Sequence, residues 1–129
     1  MKSRDEIEAI SKRVIDCFIQ VHRTLGPGLL ESTYQSCLAH ELRSRGLNVR
    51  CEVDLPVRYG SVEIEAGYRI DMLVEDCILI ENKSVQEIAP IHEAQLLTYL
   101  RLSGRKLGFL VNWNVALIKD GIKRMVNGF

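Results

Sequence analysis

Residues 78–83, Ile-Leu-Ile-Glu-Asn-Lys, constrain the fold of this chain more than any other segment. The apolar run enters Glu81 without alternation, so it reads as a strand buried on both faces. Glu81 and Lys83 are two apart at its end and share a face. Unpaired charge in such surroundings is very costly. Two arrangements answer that cost. Either Glu81, Lys83 and a neighbouring acid form a buried ion-pair cluster, or the acids bind a metal ion. The neighbouring acid is Asp71, in a segment where Tyr68, Ile70, Met72 and Val74 alternate as a second strand.

The register between these strands decides whether Asp71 and Glu81 meet. A three-residue loop, Glu75-Asp76-Cys77, places 71 opposite 81, 73 opposite 79 and 74 opposite 78. A two-residue loop at Glu75-Asp76 turns Glu81 to the other face. A shared cation requires the odd-length loop or an equivalent bulge.

The rest of the chain alternates helical and extended patterns. Ile7, Ile10, Val14, Phe18, Val21 and Leu25 recur at helical spacing and predict a helix over 5–24. Gly26-Pro27-Gly28 breaks it. A second helix is expected from about Leu30 to Arg45, with Leu30, Tyr34, Cys37, Leu38 and Leu42 inward and Gly46 closing it. Leu47, Val49, Cys51, Val53 and Leu55 then alternate with polar residues as a half-buried strand. Residues 58–66 form a turn with a short strand near Val62–Ile64. The strands from 47 to 83 read as an antiparallel meander. Pro90 opens a third helix that Gly104 ends. Leu107, Phe109, Val111 and Trp113 alternate, with Trp113 in the core. Asp120-Gly121, between 115–119 and 122–126, signals a closing hairpin. The pattern is α/β, in the order α-α-β-β-β-α-β-β-β, and 129 residues suit a single domain, 1–129.

Composition narrows the function classes. No apolar run is long enough for a membrane span, and the N-terminal residues lead into an amphipathic pattern rather than an apolar signal core. A cytoplasmic protein is the expectation. Cys17, Cys37, Cys51 and Cys77 lack metal-ligand spacing and read as reduced, mostly buried small hydrophobes. The 17 basic and 17 acidic side chains cancel, which argues against a protein that coats nucleic acid. Their distribution is uneven. Residues 1–51 carry 8 basic and 6 acidic groups, residues 52–93 carry 3 and 10, and residues 94–129 carry 6 and 1. Acids that hold a metal beside bases that hold phosphate fit this pattern, and so does a solvated charge mosaic.

Asp71, a nine-residue spacer and Glu81-Asn82-Lys83 resemble the D…(D/E)-x-K signature of the PD-(D/E)XK superfamily, here on a strand–turn–strand unit followed by a helix. Gly28-Leu29-Leu30-Glu31-Ser32-Thr33-Tyr34 matches G-x-x-E-x-x-Y and resembles the name-giving motif of the GxxExxY protein family. The resemblance continues through His22–Gly28, His92–Leu100 and Leu107–Asn114, with Trp113 where Phe is more usual. It implies a restriction-endonuclease-like core, a central mixed β-sheet flanked by helices. The implied activity is metal-dependent, nuclease-like hydrolysis of DNA or RNA. The alternative is a non-catalytic nucleic-acid- or protein-binding module that retains the fold.

Under that resemblance Asp71 and Glu81 would hold Mg²⁺ or Mn²⁺, with the Asn82 carbonyl as a further ligand. Lys83 would hold the attacking water or stabilise transition-state charge. Glu31 either interacts with its helix N-terminus or is a further acid reaching the metal or its water, oriented by Tyr34. Gly28 supplies a backbone geometry that other residues resist. Gln95 and Tyr99 share a helix face and would support the lysine or contact nucleic acid. His92 shares that face and is a candidate for surface or supporting duty, or for direct contact with substrate. Arg105 and Lys106, with Arg101, Lys119, Lys123 and Arg124, are candidates for holding phosphate. A homodimer completing a substrate groove is a further possibility.

Overall fold

The first helix begins where the sequence supplies a reciprocal cap. Ser3 Oγ accepts the Glu6 N–H and the Glu6 carboxylate accepts the Ser3 N–H. In the computed structural model, which describes residues 1–129, helix α1 runs Arg4–Leu25 and buries Ile7, Val14, Cys17, Phe18 and Val21. Gly26 ends it at φ 69°. Helix α2 follows at Glu31–Ser44 and buries Tyr34, Leu38, Ala39 and Leu42. Leu30 precedes it and is exposed, and Cys37 is only half-buried, so the expected inner face is narrower by two positions. Gly46, at φ 82°, is the left-handed closing residue expected there.

The strands are β1 Val49–Asp54, β2 Val57–Tyr59, β3 Val62–Ile64, β4 Arg69–Val74 and β5 Ile78–Lys83. After helix α3, Pro90–Ser103, come β6 Leu107–Asn112, a 3₁₀ turn at Ile118–Asp120 and β7 Ile122–Val126. Five strands form one mixed sheet in the order β1-β4-β5-β6-β7. Only β5 and β6 are parallel. Helix α3 makes the crossover that such a pair requires. The core lies on both faces. Helices α1 and α2 pack over Met72, Val74, Ile78, Ile80, Phe109 and Val111. Helix α3 packs its Leu96, Tyr99 and Leu100 over Leu73, Leu79 and Leu110. Ile78 and Ile80 therefore point one way and Leu79 the other, the two-faced burial that the unbroken apolar run implies. Trp113 is fully buried, as expected. No helix is long and apolar enough to cross a membrane.

Two expectations are corrected. The strands from 47 to 83 do not form one meander: β1 pairs with β4, and β2 and β3 form a separate two-stranded ribbon. The tight turn at Gly60, φ 64°, lets that ribbon close on its nearest neighbours, where loop closure costs least. The hairpin at Asp120-Gly121 is absent. Gly121 has φ −101° and sits in no left-handed turn. A Cβ there would stand 2.1 Å from the Asn112 carbonyl oxygen. This glycine serves close backbone approach, with Asn112 N–H donating to the Gly121 carbonyl at 2.8 Å, and β7 pairs with β6. The expected order thus gains strands before α3 and loses one after it.

Candidate functional site

The β4–β5 turn is the odd-length one. Glu75 and Asp76 are left-handed, and Leu73 lies opposite Leu79 and Val74 opposite Ile78. The same register puts Asp71 opposite Glu81. Regular pairing stops at Met72 and Ile80, and beyond it carboxylates take the place of backbone acceptors. Asp71 N–H donates to Glu81 Oε2 at 2.8 Å, and Asn82 N–H donates to Asp71 Oδ2 at 2.8 Å. Asp71 Oδ1 and Glu81 Oε1 have no protein partner. No buried side-chain oxygen is left unsatisfied, so these two atoms keep contact with solvent. Lys83 is half-buried and makes no ion pair. The three side chains do not form the buried ion-pair cluster that was the alternative reading.

The backbone that brings the acids together was not visible in the residue pattern. Val49 and Cys51 pack with the α1–α2 side, whereas Val53 and Leu55 pack with the α3 side. Residues two apart in a regular strand share a face. β1 therefore turns over at Glu52, which has φ 53°. Its place in the register is opposite Asp71, between the pairs Cys51–Met72 and Val53–Ile70. β4 turns over at the same point, with Met72 toward α1–α2 and Ile70 toward α3. This roll lifts Asp71 out of the ladder to where it meets Glu81. The expected single-faced alternation from Leu47 to Leu55 is corrected accordingly. Gln35 on α2 donates to Glu52 Oε1 at 2.9 Å, and its own Oε1 lies 3.5 Å from Asn82 Nδ2.

The electrostatics follow from burial beside like charge. Burial, and then the charge of Asp71, push the Glu81 carboxyl up to about 8, and Lys83 only partly offsets this. Asp71 is raised as well, first by burial and then by Glu52 and Glu31, against the lowering hydrogen bond from Asn82 N–H. Two buried acids that resist ionising together, each with one free oxygen, form a hard donor set that a divalent cation would satisfy. Trp113 N–H donates to the Lys83 carbonyl in the β5–β6 ladder. The Asn82 carbonyl, one peptide earlier, therefore points to the other edge of β5, toward β4. The fit is two carboxylates, a backbone oxygen and waters, the sparse set typical of Mg²⁺. No group of three or more His, Cys, Asp or Glu side chains gathers closely enough to hold a metal. Glu31 and Glu52 act on the site by charge.

A second layer fixes this pair. Asn82 is buried, and its Oδ1 accepts the Trp113 Nε1–H at 2.9 Å. Trp113 stacks on Tyr34 at 4.9 Å and meets Phe18 edge-on at 6.0 Å. Tyr34 does not bond to Glu31, as had been expected. Its hydroxyl donates to the Gly26 carbonyl at 2.5 Å and accepts the Leu29 N–H at 3.2 Å. It thereby sets the loop that delivers Glu31. Gly28 there has φ 99°, the geometry expected of it. Ser84 Oγ–H donates to the Leu29 carbonyl at 2.7 Å and ties the same loop to the end of β5.

From the opposite layer, Gln95 donates to the Tyr99 hydroxyl at 3.1 Å. Burial first, and then the charge of Glu81, raise the pKa of that hydroxyl, and Tyr99 packs in one cluster with Ile70 and Leu79 from the two strands that carry the acids. His92 is taken up by its helix start, where Nδ1 accepts the Ala89 N–H at 3.1 Å. Arg105 and Lys106 do not flank the site. They precede β6, which runs parallel to β5, and so lie at its Ile78 end, about 17 Å from Lys83. Arg105 is bonded there to Asp76 at 2.5 Å.

A family model for the PD-(D/E)XK nuclease superfamily matches residues 8–125. The chain therefore belongs to the PD-(D/E)XK nuclease superfamily, whose nucleases generally use divalent metals and whose fold is the mixed sheet with flanking helices described above. Comparison with curated proteins and comparison with solved structures yield no match.

Proposed function

We propose that this chain is a Mg²⁺- or Mn²⁺-dependent phosphodiesterase that hydrolyses DNA or RNA, acting as a single cytoplasmic domain of the GxxExxY type. The observation that carries the reading is the way backbone N–H groups of the two strands hold the Asp71 and Glu81 carboxylates. The Glu81 carboxylate accepts the Asp71 N–H, the Asp71 carboxylate accepts the Asn82 N–H, and each leaves one oxygen toward solvent, beside a lysine with no other partner. A divalent ion held by Asp71, Glu81 and the Asn82 carbonyl would polarise a phosphoryl oxygen and lower the pKa of a bound water. Lys83 lies on the Glu81 face of the same strand, where its ammonium group meets the charge that develops on the phosphate. Glu31 presents a further carboxylate toward the attacking water. Gln95 and Tyr99 hold the α3 side of the site. Four free thiols suit a reducing compartment.

The test is a cleavage screen with Mn²⁺ over single- and double-stranded DNA and RNA, comparing the native chain with Asp71→Ala and Lys83→Ala. Cleavage by the native chain and its loss in both variants is the expected result. Activity retained in both would refute the mechanism. One observation favours a non-catalytic binding module instead: the 17 basic and 17 acidic side chains cancel, where a nuclease acting alone gains from a net positive surface. Under that reading calorimetry would detect no Mg²⁺ or Mn²⁺ binding at millimolar concentration.

A further inference from the structure

Three exposed apolar side chains lie on the elements that carry the residues of the carboxylate site. Leu30, 74% exposed, directly precedes Glu31. Ile91, 70% exposed, lies one helical turn before Gln95 on α3. Tyr68, 47% exposed, sets its ring 6.2 Å from that of Tyr99 at an angle of 59°. Tyr99 packs in one cluster with Ile70, next to Asp71, and Leu79, two residues before Glu81, so Tyr68 stands one ring away from the strand segments that carry the acid pair. Its backbone is fixed, because its carbonyl accepts the Leu55 N–H at 2.9 Å. Tyr68 is thus a half-exposed aromatic ring held on the sheet beside the proposed reacting centre.

Lys83 is the unpaired cation of the site, and two others on the elements around it are matched. Arg69 pairs with Asp54, and Lys123 pairs with Glu93. Duplex binding draws its affinity from many phosphate contacts. Single strands are held by backbone charge together with bases stacked on aromatic faces, a contact that a paired duplex does not offer. We infer that the substrate is single-stranded nucleic acid, with a base beside the scissile phosphate stacked on Tyr68. This rests on the nuclease reading above and adds the form of the substrate to it.

The test uses a short oligonucleotide, made as DNA and as RNA, carrying one 2-aminopurine and used free or annealed to its complement. Cleavage is followed in Mn²⁺. Stacking is read from 2-aminopurine quenching in an Asp71→Asn background, which stops turnover. Free strands should be cut in preference to duplex. Tyr68→Ala should raise KM for the free strand roughly 5- to 150-fold, the range of one base–aromatic stack, with kcat little changed and quenching lost. Tyr68→Phe should restore both. Far-UV circular dichroism confirms that each variant is folded. Tyr68→Ala with native KM and quenching overturns the inference, as does a preference for duplex. So does sedimentation showing that the substitution acts by breaking a dimer formed through this surface. If the native chain cuts no substrate, the nuclease reading falls with it. If it cuts but ignores Tyr68, only the stacking role falls.

Discussion

Glu81→Gln should stabilise the metal-free protein, and by more as the pH rises. In the folded chain the Glu81 carboxyl is pushed up to about 8 from an ordinary 4.5, by burial first and by Asp71 second. Between those values the folded state holds a proton that the unfolded state has released. Stability therefore falls as pH rises, by about 1.4 kcal/mol per unit. From pH 5 to pH 8, with the curve flattening at both ends, the native chain loses roughly 3 kcal/mol through this one group. Gln cannot ionise, and its carbonyl oxygen still accepts the Asp71 N–H that Glu81 Oε2 accepts at 2.8 Å. The difference in stability between variant and native chain should thus widen by roughly 3 kcal/mol over that range, about 10 °C in Tm for a domain of this size. Thermal melts in EDTA, followed at 222 nm at pH 5 and pH 8, measure it. A difference that stays flat with pH would show that Glu81 ionises freely in the fold, and the argument from buried like charge would fail.

Three further outcomes follow from the geometry around the site. Tyr34→Phe removes the hydroxyl that bridges Gly26 and Leu29 and should cost about 1–2 kcal/mol in urea denaturation, with lower cleavage activity because the loop carrying Glu31 loosens. Glu52→Gly should raise stability by about 1 kcal/mol and Glu52→Val should lower it, since the position is left-handed at φ 53°; the opposite order in denaturant midpoints would refute the rolled strand. Gly121→Ala should destabilise by about 2–3 kcal/mol, because its Cβ would fall 2.1 Å from the Asn112 oxygen, and hydrogen exchange should show β7 losing protection.

The parts of this account that the sequence carried were those where side-chain chemistry and periodicity coincide. Ile78-Leu79-Ile80 announced a strand buried on both faces because no polar residue interrupts it. The three-residue turn followed from requiring Asp71 and Glu81 to meet. Gln95 and Tyr99 bond to each other because helical spacing fixes which residues share a face. The failures have different physical origins. The reversal of face at Glu52 depends on one backbone dihedral, and a glutamate does not advertise a left-handed φ. Asp120-Gly121 has the letters of a hairpin, yet glycine serves close approach as well as positive φ, and only the proximity of Asn112 tells which applies. Arg105 and Lys106 belong to a basic segment of the sequence, but the parallel pairing of β5 and β6 carries them to the far end of the sheet. The Tyr34 hydroxyl finds backbone groups of its own loop, an outcome set by how Gly26–Leu30 folds rather than by the spacing to Glu31.

The central claim is that Asp71 and Glu81 together receive one divalent cation. Calorimetric titration of Mn²⁺ at pH 7, repeated in buffers of different ionisation enthalpy, measures both the binding and the protons released. With Glu81 titrating at about 8, a bound ion should displace close to one proton per chain, and Asp71→Asn should abolish the heat. Absence of binding, or binding that releases no proton and survives Asp71→Asn, would contradict the claim.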